Sequence, residues 1–171
     1  MIETARLLLR EYTTEDVPAL HQIQSHAATM KFWPAPFREE TTRNWIERAM
    51  ASYSSNGFGR WALILKDTGA QIGDVGMMRT PVNEKEEVDL GYIVHADHWH
   101  KGYATEAASA VLKYGIDKGL PRIVANMAHD HLASQRVAER LGMIKELEFT
   151  NSRNRNIVHY LYSWNTPVLK S

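Results

Sequence analysis

The stretch Lys101-Gly-Tyr-Ala-Thr105 runs from a loop into a helix start built of small residues. Such a junction presents unpaired backbone N–H groups at the positive end of a helix dipole, and together these bind phosphate. Gly102 and Ala104 let the backbone approach a ligand, Lys101 adds a charge and Thr105 a hydroxyl. The alternative at this point is an ordinary helix turn that holds nothing. Glu87 and Asp89 stand two apart on an alternating stretch, so they share one strand face, where either can take a proton directly or through water. The plain alternative is a pair of solvated carboxylates. His95, His98 and His100, with His129 and His131, raise the question of a metal, but their spacing matches no metal-binding pattern and no metal is expected. The chain has no Cys, which excludes disulfides, Cys-ligated zinc and a thiol nucleophile.

These residues need elements to position them. Arg6-Leu-Leu-Leu-Arg10 reads as a buried strand, and Thr13-Thr14-Glu15-Asp16 as a helix start with Ala19, Leu20 and Ile23 on its apolar stripe. A second helix is expected from Thr41, as cap, to Tyr53. Trp61–Leu65 and Ile72–Met78 flank Asp67-Thr-Gly-Ala70 and predict a hairpin, its second strand weakened by Gly73 and Gly76. After a polar loop around Pro81 and Asn83, Glu87–Val94 alternates with period two. Ala104, Ala107, Ala108, Val111, Leu112 and Ile116 then recur at helical spacing. A strand over Arg122–Met127, a short helix over Leu132–Leu141, and strands at Ile144–Phe149 and Ile157–Tyr162 complete the order. Strand, two helices, three strands, helix, strand, helix and two strands imply a mixed α/β sheet with a crossover helix after the central strand.

At 171 residues one domain, 1–171, is expected. Lys plus Arg and Asp plus Glu are 20 each, so no net field draws the chain to nucleic acid or an anionic membrane, and neither partner is expected. The opening Met1-Ile-Glu-Thr-Ala-Arg6 is charged where a signal peptide is apolar, and no apolar run reaches the ~18 residues of a membrane span, so a cytoplasmic location is expected.

Three segments occur in one order: Asp89-Leu-Gly-Tyr-Ile-Val94, Trp99-His-Lys-Gly-Tyr-Ala-Thr-Glu-Ala107 and Ser134-Gln-Arg-Val-Ala-Glu-Arg-Leu-Gly-Met143. With the opening Thr-Ala-Arg-Leu-Leu-Leu-Arg they resemble the GNAT superfamily, in particular the branch that acetylates the N-termini of ribosomal proteins, over about residues 3 to 163. The resemblance implies a central, mostly antiparallel sheet with one splayed strand pair and flanking helices. It implies acetyl-CoA as co-substrate, its pyrophosphate on Lys101, Gly102, Tyr103, Ala104 and Thr105, with His100 beside them either adding a cofactor contact or crowding the turn, and its pantetheine arm along Leu90–Val94. A backbone N–H at Ile93 or Val94 would steady the oxyanion. Three positions depart from the family pattern. His100 stands for a Gly, His131 for an Asn whose pantetheine contact it would keep, and Ala138 for the Tyr that many members use as general acid. Ser134 then becomes the candidate acid, with Glu87 or Asp89 as base and direct attack by the amine as the scheme.

Two rivals stand beside this reading. A non-catalytic acyl-CoA sensor on the same fold would bind acetyl-CoA without turnover, and a histidine-liganded metal enzyme would bind zinc. Trp33, Trp45, Phe58 and Trp61 could line an acceptor cleft or fill the core. The expected acceptor is a primary amine, on a protein or peptide N-terminus by branch similarity or on a small molecule. Oligomeric state is not legible.

Overall fold

The computed structural model describes residues 1–167, so the last four residues of the expected 1–171 domain lie outside it. Twelve elements build it: β1 (Ile2–Glu3), β2 (Leu7–Arg10), α1 (Val17–Gln24), α2 (Glu39–Asn56), β3 (Arg60–Leu65), β4 (Gln71–Val82), β5 (Lys85–Val94), α3 (Tyr103–Asp117), β6 (Arg122–Ala128), α4 (Leu132–Arg140), β7 (Ile144–Asn151) and β8 (Ile157–Asn165). The strands form one mixed sheet in the order β1-β2-β3-β4-β5-β6-β8-β7. Every pairing is antiparallel except β5 with β6, which α3 connects. This is the crossover expected from the element order.

The period of each element decides what it covers. Ala107, Ala108, Val111 and Leu112 of α3 pack on Val88, Leu90 and Val94 of β5 and on Ala125 and Met127 of β6. On the opposite face Ile93 meets Ile23 and Met30, with Trp33, Phe37 and Trp45 against them. So successive residues of β5 serve two layers: Asp89, Gly91 and Ile93 face α1 and α2, whereas Leu90, Tyr92 and Val94 face α3.

Several expectations need correction. Helix α2 begins two residues before Thr41, with Arg38 as its extended cap residue, so Thr41 lies within the first turn. The Thr13–Asp16 start is a short 3-10 turn in which Asp16 accepts from the Thr13 N–H at 2.8 Å and is held by Arg10 at 2.6 Å. The polar loop before β5 is only a two-residue turn, Asn83 at φ 47° and Glu84 at φ 65°, and the strands continue to it. Gly76 does not weaken β4. A Cβ there would strike the Gly59 carbonyl, so the missing side chain lets two backbones pack. Ile116 is 38% exposed, and Gly115, where a Cβ would press on Ile123 and Met77, takes the inward place.

Candidate active site

The turn before α3 has the geometry that binds anions. His100 at φ 60° and Gly102 at φ 81° bracket Lys101, so successive amides point into one concavity. The first bond closing the helix runs from the Glu106 N–H to the Gly102 carbonyl at 3.0 Å, and the amides of residues 100–105 find no partner among the described residues. His is among the side chains that tolerate a positive φ, which accounts for His100 where a Gly was expected. Its ring is exposed, so it does not crowd the turn. Lys101 is also exposed, its Nζ 3.2 Å from the Asp97 carbonyl. Sequence reasoning missed Arg6. From the β1–β2 turn its Nη1 donates to the Lys101 carbonyl at 2.9 Å, its Nε meets Glu106 at 2.7 Å, and its guanidinium lies 4.5 Å from the Tyr103 ring centroid. Ala104 and Thr105 stand half-buried in the first helical turn.

Beside this turn the sheet divides. β5 and β6 share a single pair, Asp89 with Val124, and beyond it they diverge. The gap opens into a cavity of about 760 Å³ whose lining includes Asp89, Gly91, Tyr92, Ser134, Trp33 and Trp45. The His95 N–H bonds to Ile72 of β4 at 2.8 Å, so by alternation the Ile93 N–H also turns to β4, while the amides of Tyr92 and Val94 face the gap. Of the two candidate donors, the Val94 N–H is the one directed at the gap.

The two carboxylates of β5 differ although they share a face. Glu87 is 6% exposed and paired with Arg122 at 3.0 Å and with Lys85 at 3.3 Å, so a cation from β6 already occupies it. Asp89 has no ion pair among the described residues. Its Oδ2 accepts from Asn126 Nδ2 at 3.0 Å, and its Oδ1 is shielded from solvent with no partner among the described residues. Burial pushes this carboxyl up to about 7, against the smaller opposing effects of Asn126 and Arg60. Neither group is the solvated carboxylate of the plain alternative.

Ser134, buried in the first turn of α4, has its Oγ 2.9 Å from the Tyr92 hydroxyl, which also donates to the Ser134 carbonyl at 3.0 Å. Burial holds the Tyr92 phenol well above its ordinary value, so it stays protonated. Tyr92 was legible only as one apolar beat of β5; its meeting with Ser134 depends on where α4 docks. His131 precedes α4, stacks on Phe32 at 3.8 Å, and is pushed down to about 4, chiefly by burial and then by Lys31.

Arg60 is a further residue that sequence reasoning missed. Its Nε donates to Asp74 at 2.7 Å, its Nη2 also pairs with Asp74, and Nη1 lies where a Gly91 Cβ would stand. Tyr12 and Trp45 donate to the same carboxylate at 2.8 and 3.1 Å. Trp33 and Trp45 therefore line the cavity, whereas Phe58 and Trp61, each 2% exposed, belong to the core. The histidines separate: His95 packs on His26 at 4.5 Å while His131 lies on Phe32, and no three His, Asp or Glu side chains gather to hold a metal among the described residues. No helix among the described residues is long and apolar enough to cross a membrane.

A turn of free amides lies next to a divided mixed sheet, with a carboxyl on one face of the gap and a hydroxyl pair on the other, an arrangement suited to group transfer. The comparisons name the class. Residues 6–144 match the acetyltransferase (GNAT) domain family. The uncharacterized N-acetyltransferase YoaA of Bacillus subtilis is 30% identical over 149 residues, 85% of this chain and 84% of that protein. A GNAT-family acetyltransferase of Bacillus anthracis superposes with a TM-score of 0.81 at 30% identity, covering 96% and 97% of the two chains. RimL, a ribosomal L7/L12 alpha-N-protein acetyltransferase in complex with coenzyme A, superposes with a TM-score of 0.79 at 18% identity, over 95% of each chain. The chain belongs to the acetyltransferase (GNAT) domain family and is an acyltransferase.

Proposed function

We propose that the enzyme moves the acetyl group of acetyl-CoA to a primary amine by direct attack. The observation that carries this is the divided β5–β6 pair next to the turn of unpaired amides at 100–105. The pyrophosphate sits on His100, Lys101, Gly102, Tyr103, Ala104 and Thr105, with Arg6 reinforcing the turn. The pantetheine arm follows Leu90–Val94 past His131, so the thioester reaches the gap. No Cys exists to carry the acetyl group, which leaves the amine nitrogen to attack the thioester carbon itself.

Asp89 takes the ammonium proton, directly or through one water. A carboxyl pushed up to about 7 suits that task near neutral pH. The Val94 N–H, which faces the gap, stabilises the oxyanion. As the C–S bond breaks, Ser134 gives its proton to the sulfur and regains one from the nitrogen of the collapsing intermediate, while the Tyr92 hydroxyl, 2.9 Å away and protonated throughout, holds the Ser134 Oγ in place. Glu87 has no part in this scheme, because Arg122 holds it. The RimL likeness supports the α-amine of a protein or peptide as acceptor.

The test is a calorimetric titration with acetyl-CoA of the wild type and of Gly102→Asp. Asp tolerates a positive φ, so the fold is expected to survive. A carboxylate set against the pyrophosphate should weaken binding by at least about a hundredfold, two to three charge-assisted contacts being lost. Equal affinity sinks the assignment of the turn. Tight binding by the wild type with no turnover on amines replaces transfer by sensing.

A further inference from the structure

Asn126 and His159 are polar residues set into the far face of the sheet next to Leu161 and Phe149, where an unpaired polar group is costly. Each is bonded to the next, and the directions of those bonds can be worked out. Asn126 Nδ2 donates to Asp89 Oδ2, which leaves Asn126 Oδ1, 2.9 Å from His159 Nδ1, able only to accept. His159 Nδ1 therefore carries the hydrogen, and Nε2 is the lone-pair nitrogen. Asn154 Nδ2 stands 3.0 Å from that Nε2 and donates to it; the same nitrogen donates to the Phe32 carbonyl at 2.9 Å. The orientation of Asn154 is anchored separately, because Arg155 Nε donates to its Oδ1 at 3.2 Å. His159 and Asn154 are each 6% exposed.

We infer that Asn154, His159 and Asn126 form a one-directional hydrogen-bond relay that positions the Asp89 carboxyl for proton transfer and ties it to the Phe32 wall of the acceptor cavity. The inference rests on Asp89 as the base. Along Asn154, His159 and Asn126 each link donates in the direction of Asp89, so Oδ2 is kept as the accepting oxygen and the proton is directed to Oδ1. The relay needs a neutral His159, and burial pushes that imidazole down to about 4, with Asp130, His129 and Arg155 as the charged or titratable neighbours. At the other end Arg60 from β3 and Glu87 on β5 act on Asp89. Without His159, the Asn126 amide is free to turn its oxygen to the carboxyl. Asp89 then loses a donor, gains a repulsive dipole and holds its proton more tightly.

These are positioning residues, and their signature is a titration that packing alone does not move. The Asp89 carboxyl is followed by carbon NMR in the intact protein, its resonance identified as the one lost in Asp89→Asn. Asn126→Leu and His159→Leu should each raise its midpoint by about one pH unit, the worth of one charge-assisted bond. His159→Asn, whose amide can donate from the Nδ1 position, should return it towards the wild-type value. Nitrogen NMR of wild-type His159 should find the hydrogen on Nδ1. An unmoved midpoint in His159→Leu, or a hydrogen on Nε2, overturns the relay. Full turnover by Asp89→Asn would instead remove the base assignment and leave the NMR result standing, so the two failures are distinguishable.

Discussion

Asp89 and Glu87 illustrate what two residues on one strand face can and cannot reveal. Period two placed them together, and the sequence carries that much. What separates them comes from β6: Arg122 closes on Glu87, and Asn126 offers Asp89 only a neutral amide. Neither partner is near in sequence, so the assignment became legible only once the strands were paired. The raised proton affinity of Asp89 also bears on stability. Between its unfolded value near 3.9 and about 7 in the fold, the native state binds the extra proton, so stability falls as pH rises through that window. Asp89→Asn removes this dependence. It should raise stability by up to about 4 kcal/mol at pH 8 and little at pH 4, as read by urea denaturation at both pH values. Turnover should fall by about a hundredfold or more at pH 8, the usual share of a general base. In the wild type, kcat/KM should climb with pH and level off above about 7. A pH-independent wild-type rate counts against the base.

At the scale of elements, helices and strands followed from periodicity, and the departures have local causes. The stripe of α3 was drawn through Ile116, but the inward line runs 107, 108, 111, 112, 115, and a glycine occupies the last place because Met77 and Ile123 leave no room for more. The β4–β5 hairpin was read as a polar loop around Pro81 and Asn83, and Asn-Glu is not a favoured two-residue hairpin turn. Glu84 nevertheless holds φ 65°, a conformation in which a Cβ is disfavoured. Glu84→Gly should therefore raise stability by up to about 1 kcal/mol, measurable as a shift in thermal midpoint, with acetyl-CoA affinity unchanged. A loss of stability would mean that the Glu84 side chain makes contacts that outweigh its strained backbone. The split of β5 from β6 was expected only through the family resemblance, since no residue pattern within either strand announces it.

Over the whole molecule, the Arg60–Asp74 pair joins what the chain order keeps apart. Asp74 is fully buried on β4 and receives Arg60 from β3, Tyr12 after β2, and Trp45 from α2. The sequence showed an equal number of positive and negative charges but not that Arg60 and Asp74 lie together in the interior. Asp74→Asn leaves the Arg60 charge uncompensated and should cost about 3–5 kcal/mol, as measured by denaturant unfolding. A near-neutral result would show that Arg60 can reach solvent through the cavity. The cavity itself, lined from both faces of one sheet, has a kinetic consequence. On the proposed reading the thioester and the amine do not share a doorway, so neither has to leave before the other arrives. Initial-rate plots should give intersecting rather than parallel lines, and an unreactive amine analogue should trap acetyl-CoA on the enzyme instead of competing with it.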